Sequence, residues 1–176
     1  MTNNMNKFAR ASRQAGMTLI EIIVVLAIGA LIIGGALSLY SNASSSQSSN
    51  QLNSDLTAIR ASVKSIYSTQ GGYGTASLNS VLINAKKVPT TMSVSGTTIS
   101  HALNGTLTVT GATSSFTMAV TAIPTDVCVA LLSAASGFSS IQVGANAART
   151  TFPISPANAS TDCAAAATQS ITFTAN

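Results

Sequence analysis

The chain has 176 residues, the length of a single ordinary domain with room for an appendage. Only 7% of its residues are charged, against about 25% in an average soluble protein, while 46% are apolar and the mean hydropathy is +0.41. This balance argues against a freely soluble enzyme and equally against disorder, which goes with high charge and few apolar residues.

The acids are Glu21, Asp55, Asp126 and Asp162, and His101 is the single histidine. Most acid–base and metal constellations cannot be assembled from that inventory, so neither an enzyme nor a cofactor is expected. The sequence pI near 9.4 belongs mainly to the N-terminus, where Lys7, Arg10 and Arg13 supply +3 of the formal +4. From Met17 onward five bases face four acids, a net of +1, which leaves no clustered cationic face and no expectation of nucleic-acid binding.

Residues 17–40 read MTLIEIIVVLAIGALIIGGALSLY, with Glu21 the one charge. As a helix this run extends about 36 Å, enough to cross a hydrocarbon core of roughly 30 Å. The bases ahead of it predict a cytoplasmic N-terminus, with the rest of the chain on the other side of the membrane. An ordinary secretory signal peptide, cut near residues 41–43, would account for the basic start and the apolar run, although that run exceeds the usual 7 to 15 residues. A permanent single-span anchor would also account for them. Neither explains Glu21, because a charge inside an apolar span costs roughly 2.5 to 3.5 kcal/mol at mid-bilayer.

Gly16-Met17-Thr18-Leu19-Ile20-Glu21, after a basic stretch and before an unbroken apolar run, resembles the prepilin processing motif of type IV pilins and related pseudopilins. The resemblance implies that a membrane peptidase cuts between Gly16 and Met17 and that the new amine of Met17 is methylated. A glycine before the cut offers no side chain to obstruct a peptidase. The resemblance further implies that Glu21 pairs with the N-terminal amine of a neighbouring subunit's Met17, neutralising charges otherwise buried in an apolar filament core. Without a partner, Glu21 would still complement the helix macrodipole, an effect of about 0.3 to 1 kcal/mol. Gly29, Gly34 and Gly35 each weaken the helix by about 1 kcal/mol relative to alanine, and the family suggests local unwinding there in an assembled filament.

Residues 41–50, SNASSSQSSN, have the composition of a flexible linker, but Leu52, Leu56, Ile59, Val63 and Ile66 then recur on one helical face. Resemblance to pilins joins the apolar and amphipathic segments into one spine, stopped by Gly71-Gly72. A short helix is expected around Leu78, Val81 and Leu82, ending before Pro89, with Lys86 and Lys87 as its solvated end. Alternation of Leu107 and Val109, then of Phe116, Met118, Val120 and Ala122, predicts strands within residues 98–123, with turns at Asn104-Gly105 and Gly111. A helix through Ala135 follows, capped by Thr125, with Asp126 in its first turn and Gly137 beyond its end. Further strands are expected near residues 139–143 and 171–174. His101 reads as a turn or surface residue rather than a switch.

The expected fold is α+β: a long N-terminal hydrophobic and amphipathic α-helical spine packed on an antiparallel β-sheet head. Its divisions are a removed leader (1–16), a membrane and filament-core helix (17–40), an amphipathic continuation (41–70) and a head (71–176). Cys128 and Cys163 would lie in an oxidising compartment and most simply form one disulfide, a position that resembles the C-terminal disulfide of pilins. The resemblance implies a homopolymer served by a prepilin peptidase and an inner-membrane assembly machine, waiting in the membrane before it joins an extracellular filament. The sixteen-residue leader and Met17 resemble the type IVb subclass. A type II secretion pseudopilin or a minor pilin at a filament tip would share the leader. The major pseudopilins usually carry clustered calcium-binding acids that this second half lacks.

Overall fold

The computed structural model describes residues 18–176 and divides into two units, one up to Tyr40 and one from Ser41 to Asn176. The leader, Gly16 and Met17 lie outside the described residues. Helix α1 (Leu19–Ile66) has 48 residues, those up to Tyr40 in the first unit and those from Ser41 in the second.

In the first unit α1 is built from Ile, Leu, Val and Ala, without proline. Residues Leu19–Leu37 are long and apolar enough to cross a membrane, and none of them is buried. Helix is the form such a run takes in lipid, because each backbone group finds its partner within the segment.

In the second unit the same helix turns amphipathic. Leu52, Leu56, Ile59 and Val63 are buried and Ile66 half-buried, as the 3.6-residue spacing predicts. Residues 41–50 are helical despite their serines. Ser49 is buried, and its hydroxyl donates to the Ser46 carbonyl at 3.2 Å, one way a helix accommodates a polar side chain that competes for its backbone.

The head adds α2 (Asn79–Asn84), β1 (Ser93–Ser95), β2 (Thr98–Ser100), β3 (Thr106–Gly111), β4 (Phe116–Pro124), α3 (Thr125–Ala134), β5 (Ser140–Val143), α4 (Pro156–Cys163) and β6 (Thr168–Ala175). The strands form one antiparallel sheet in the order β1-β2-β3-β4-β6-β5. Its inward residues, among them Leu107, Val109, Phe116, Met118, Val120, Ile141, Ile171 and Phe173, join the apolar face of α1 in one core. The architecture is the expected α+β arrangement. Asn79 ties α2 to the sheet, accepting from the Val109 N–H at 2.8 Å and donating to the Leu107 and Thr97 carbonyls.

Several local expectations are corrected. Ala122 does not continue the inward face of β4. The pairing steps from Val120–Ile171 to Ile123–Gln169, so β4 holds one residue more than β6 there; Ala122 takes a φ of 57° and Ile123 takes the inward place. Alternation in sequence cannot announce such a bulge. Thr125 is the first residue of α3, not its cap, and its hydroxyl points to the Ala166 carbonyl at 3.2 Å. Gly111 ends β3 and leaves the turn to residues 112–115; the Tyr73 and Gly74 carbonyls occupy the space a side chain would need. His101 sits in the β2–β3 turn as expected, but it is buried, not at the surface. Helix α4 was not foreseen, although Ser155-Pro156 signals its start: the Ser155 hydroxyl accepts from the Asn158 N–H, and Pro156 stands where no donor is needed.

Candidate functional site

The start of α1 carries the motif residues that are described. Thr18 precedes the helix, and its carbonyl accepts from the N–H groups of Glu21 and Ile22 at 3.0 and 3.3 Å. Its hydroxyl also accepts from the Glu21 N–H, at a long 3.4 Å. Thr18-Leu19-Ile20-Glu21 is the Thr-x-x-Glu pattern of a capping box, in which the threonine satisfies a free donor of the first turn. Sequence reasoning singled out Glu21 and passed over Thr18, though the three-residue spacing was there to read.

Glu21 is exposed, among apolar neighbours that are exposed as well: Ile20 is 66% accessible, Ile23 51% and Leu31 78%. A helix surface this apolar needs a non-aqueous surrounding, either lipid or other apolar helices. Glu21 stands in the first turn of that surface, where a carboxylate is favoured by the helix dipole. Gly29, Gly34 and Gly35 lie within the unbroken helix, and nothing approaches the space their missing side chains would fill. They offer flat places on the helix surface.

In the head, Cys128 on α3 and Cys163 at the end of α4 are joined by a disulfide with a Cα–Cα distance of 6.0 Å across a sequence separation of 35. Both cysteines are fully buried. The segment between them is held by Arg149, whose backbone exchanges hydrogen bonds with Ile141 of β5 at 2.7 and 2.9 Å. The Asp162 carboxylate accepts from its guanidinium, which strengthens the arginine's hold on its proton. Asn146 donates to the Asp162 carbonyl at 2.9 Å.

The remaining ionisable groups are dispersed. Asp55 is buried on α1, where it accepts from Gln51 and from the Thr91 hydroxyl at 2.7 Å. Arg60 donates to the Ser136 and Gly137 carbonyls and lies over the Phe138 ring, its Cζ 5.1 Å from the centroid. The Ser45 hydroxyl beside Asp126 holds that carboxyl below its ordinary value. Among the described residues, no three His, Cys, Asp or Glu side chains come together as metal ligands.

Two family comparisons coincide with these features. Residues 11–37 match the prokaryotic N-terminal methylation motif, and residues 46–176 match the family described as PilS N terminal. No curated protein matches the chain. With a methylation motif at its start, an apolar helix behind it and a matched α+β head over most of its length, the chain belongs to the PilS N terminal family of type IV pilins.

Proposed function

We propose that the chain is the major structural subunit of a type IV pilus, of the type IVb kind. It is made as a membrane-anchored precursor with a cytoplasmic leader, cut between Gly16 and Met17, methylated on Met17 and polymerised through its apolar helix. The observation that carries this proposal is the bare apolar surface of Leu19–Leu37 with Glu21 at its start. In the membrane, lipid covers that surface; in a filament, the helices of neighbouring subunits cover it.

Extraction from lipid exchanges one apolar surrounding for another and leaves the polar ends of the helix to be matched. Glu21 supplies the matching charge for a neighbour's methylated Met17 amine, so that neither ion is buried alone. Gly29, Gly34 and Gly35 supply the place where the helix unwinds as subunits pack. The Cys128–Cys163 bridge supports a head that folds on the oxidising side of the membrane and is built to survive outside the cell.

Surface material sheared from cells expressing the protein, followed by intact mass and N-terminal sequencing without reductant, tests the proposal. A dominant component beginning at methylated Met17 with its cysteines oxidised is expected. A trace component would make the chain a minor pilin. A start at Ser44 or at Met1 would remove the processing scheme and the Glu21 pairing that depends on it.

A further inference from the structure

His101 closes the turn between β2 and β3. Its N–H donates to the Gly105 carbonyl and its own carbonyl accepts from the Asn104 N–H, both at 3.0 Å. The ring is turned into the head: the residue is 6% exposed, and Nε2 lies 3.1 Å from the Thr121 carbonyl oxygen. A carbonyl can only accept, so Nε2 carries the proton and Nδ1 the lone pair. Nδ1 is buried and has no partner among the described residues.

The contact lies beside the β4 bulge. The β4–β6 pairing passes over Thr121 and Ala122, and the Thr121 carbonyl meets the imidazole. The Thr121 hydroxyl meanwhile accepts from the Thr106 N–H at 2.9 Å. Gly105 completes the enclosure, since a side chain there would collide with the Thr121 carbonyl and the His101 ring. One residue of β4 therefore holds both the histidine and the start of β3.

We propose that His101 is an acid-sensing latch on the edge of the head: the neutral ring holds the β1–β2 hairpin closed, and a proton taken up at Nδ1 releases it. An imidazolium here would be a buried charge whose second N–H meets no acceptor, and both features penalise the closed state. The elements packed around the ring offer little compensation. From Val88 to Thr125 no other residue is titratable. Asp55 on α1 is the carboxylate that acts on the ring, and its Oδ1 already accepts from Gln51 and Thr91.

Burial pushes the imidazole below its ordinary value of 6.5, outweighing the opposing influences of the Thr121 hydrogen bond and then of Asp55. The folded value lies below the unfolded one. The latch therefore contributes in full above the unfolded pKa of about 6.5 and is lost as pH falls through the folded value. The hairpin is held by few backbone pairs, together with the buried Ile99 side chain and the Asn79 hydrogen bond to the Thr97 carbonyl. β1 pairs only with β2, and β2 meets β3 through the pairs Ile99–Leu107 and Ser100–Thr106.

The test is amide hydrogen exchange on the full chain in detergent micelles at about pH 7.5 and about pH 5.5, corrected for the intrinsic pH dependence of exchange. Protection of residues 93–106 is expected to fall at least about threefold on acidification while that of residues 168–175 holds. His101→Gln, which keeps an uncharged donor for Thr121, is expected to abolish that fall. Equal protection at both pH values, or the same fall in His101→Gln, overturns the proposal. Should the variant not fold, the single histidine gives one pair of imidazole signals, Nδ1 and Nε2, by nitrogen NMR. A neutral Nε2–H ring titrating below its free value supports the latch, and an Nδ1–H ring or a raised titration overturns it.

Discussion

Arg149 grips Asp162 with two parallel hydrogen bonds, Nε to Oδ2 at 2.8 Å and Nη2 to Oδ1 at 2.9 Å, and the two partners differ in their access to water. The arginine side chain is 38% accessible and the aspartate 9%. Removing either partner therefore has unequal consequences. Arg149→Ala leaves a nearly buried carboxylate without its partner, whereas Asp162→Asn leaves an arginine that water can solvate. Thermal unfolding is expected to place Arg149→Ala below Asp162→Asn in Tm. The reverse order would mean that the guanidinium contributes through packing of its stem alone.

The disulfide closes a 35-residue separation that also contains Arg149 and β5. On the chain-entropy account such a loop stabilises by about 4 kcal/mol, with engineered and native cases commonly delivering about 2 to 4. Replacing both cysteines by serine is expected to lower the unfolding free energy by a corresponding amount and to steepen its dependence on denaturant, because the unlinked chain unfolds to a more expanded state. Reductant should do the same to the native chain and nothing to the double variant. A loss under about 1 kcal/mol would show that α3 and α4 are held by packing and the Arg149 contacts alone.

Most of the fold was legible because its pattern is periodic. Leu52 to Val63 repeat at helical spacing, and Phe116, Met118 and Val120 alternate, so a buried stripe and a buried strand face follow directly. What stayed hidden depends on contacts between distant residues. Nothing local marks Thr121 as the partner of His101, 20 residues away, or Ala122 as a bulge, which arises when β4 pairs with β6. Helix α4 was missed for another reason: most of its residues are small or polar and only Ala159, Asp162 and Cys163 are buried, which leaves almost no apolar periodicity. At the N-terminus the Thr18 cap is written in the same four residues as Glu21, in the Thr-x-x-Glu spacing.

The two parts of α1 should respond oppositely to the same truncation. Ile59 is fully buried in the head, so Ile59→Ala removes methylene groups from a packed core and is expected to cost about 2 to 5 kcal/mol. Leu31 is 78% accessible, and Leu31→Ala takes nothing from that core. Denaturation followed by near-ultraviolet circular dichroism, which reports the packed tyrosines of the head, should shift for the first variant and stay unchanged for the second. A large shift for Leu31→Ala would require that residue to be buried after all.

Under the proposed pairing, assembly and membrane residence make opposite demands on Glu21. In lipid its charge is a cost, and in the proposed filament it is needed as the partner of a neighbour's amine. Glu21→Ala is therefore expected to leave cleavage after Gly16 largely intact while abolishing surface filaments, measured by mass spectrometry of the membrane fraction and by shearing. Thr18→Ala separates this from mere support of the helix end. Loss of the cap costs about 0.5 to 2 kcal/mol of helix stability but removes no charge, so filaments should persist at reduced yield. Normal filaments from Glu21→Ala would end the pairing role, and equal loss in both variants would assign Glu21 to the capping box alone.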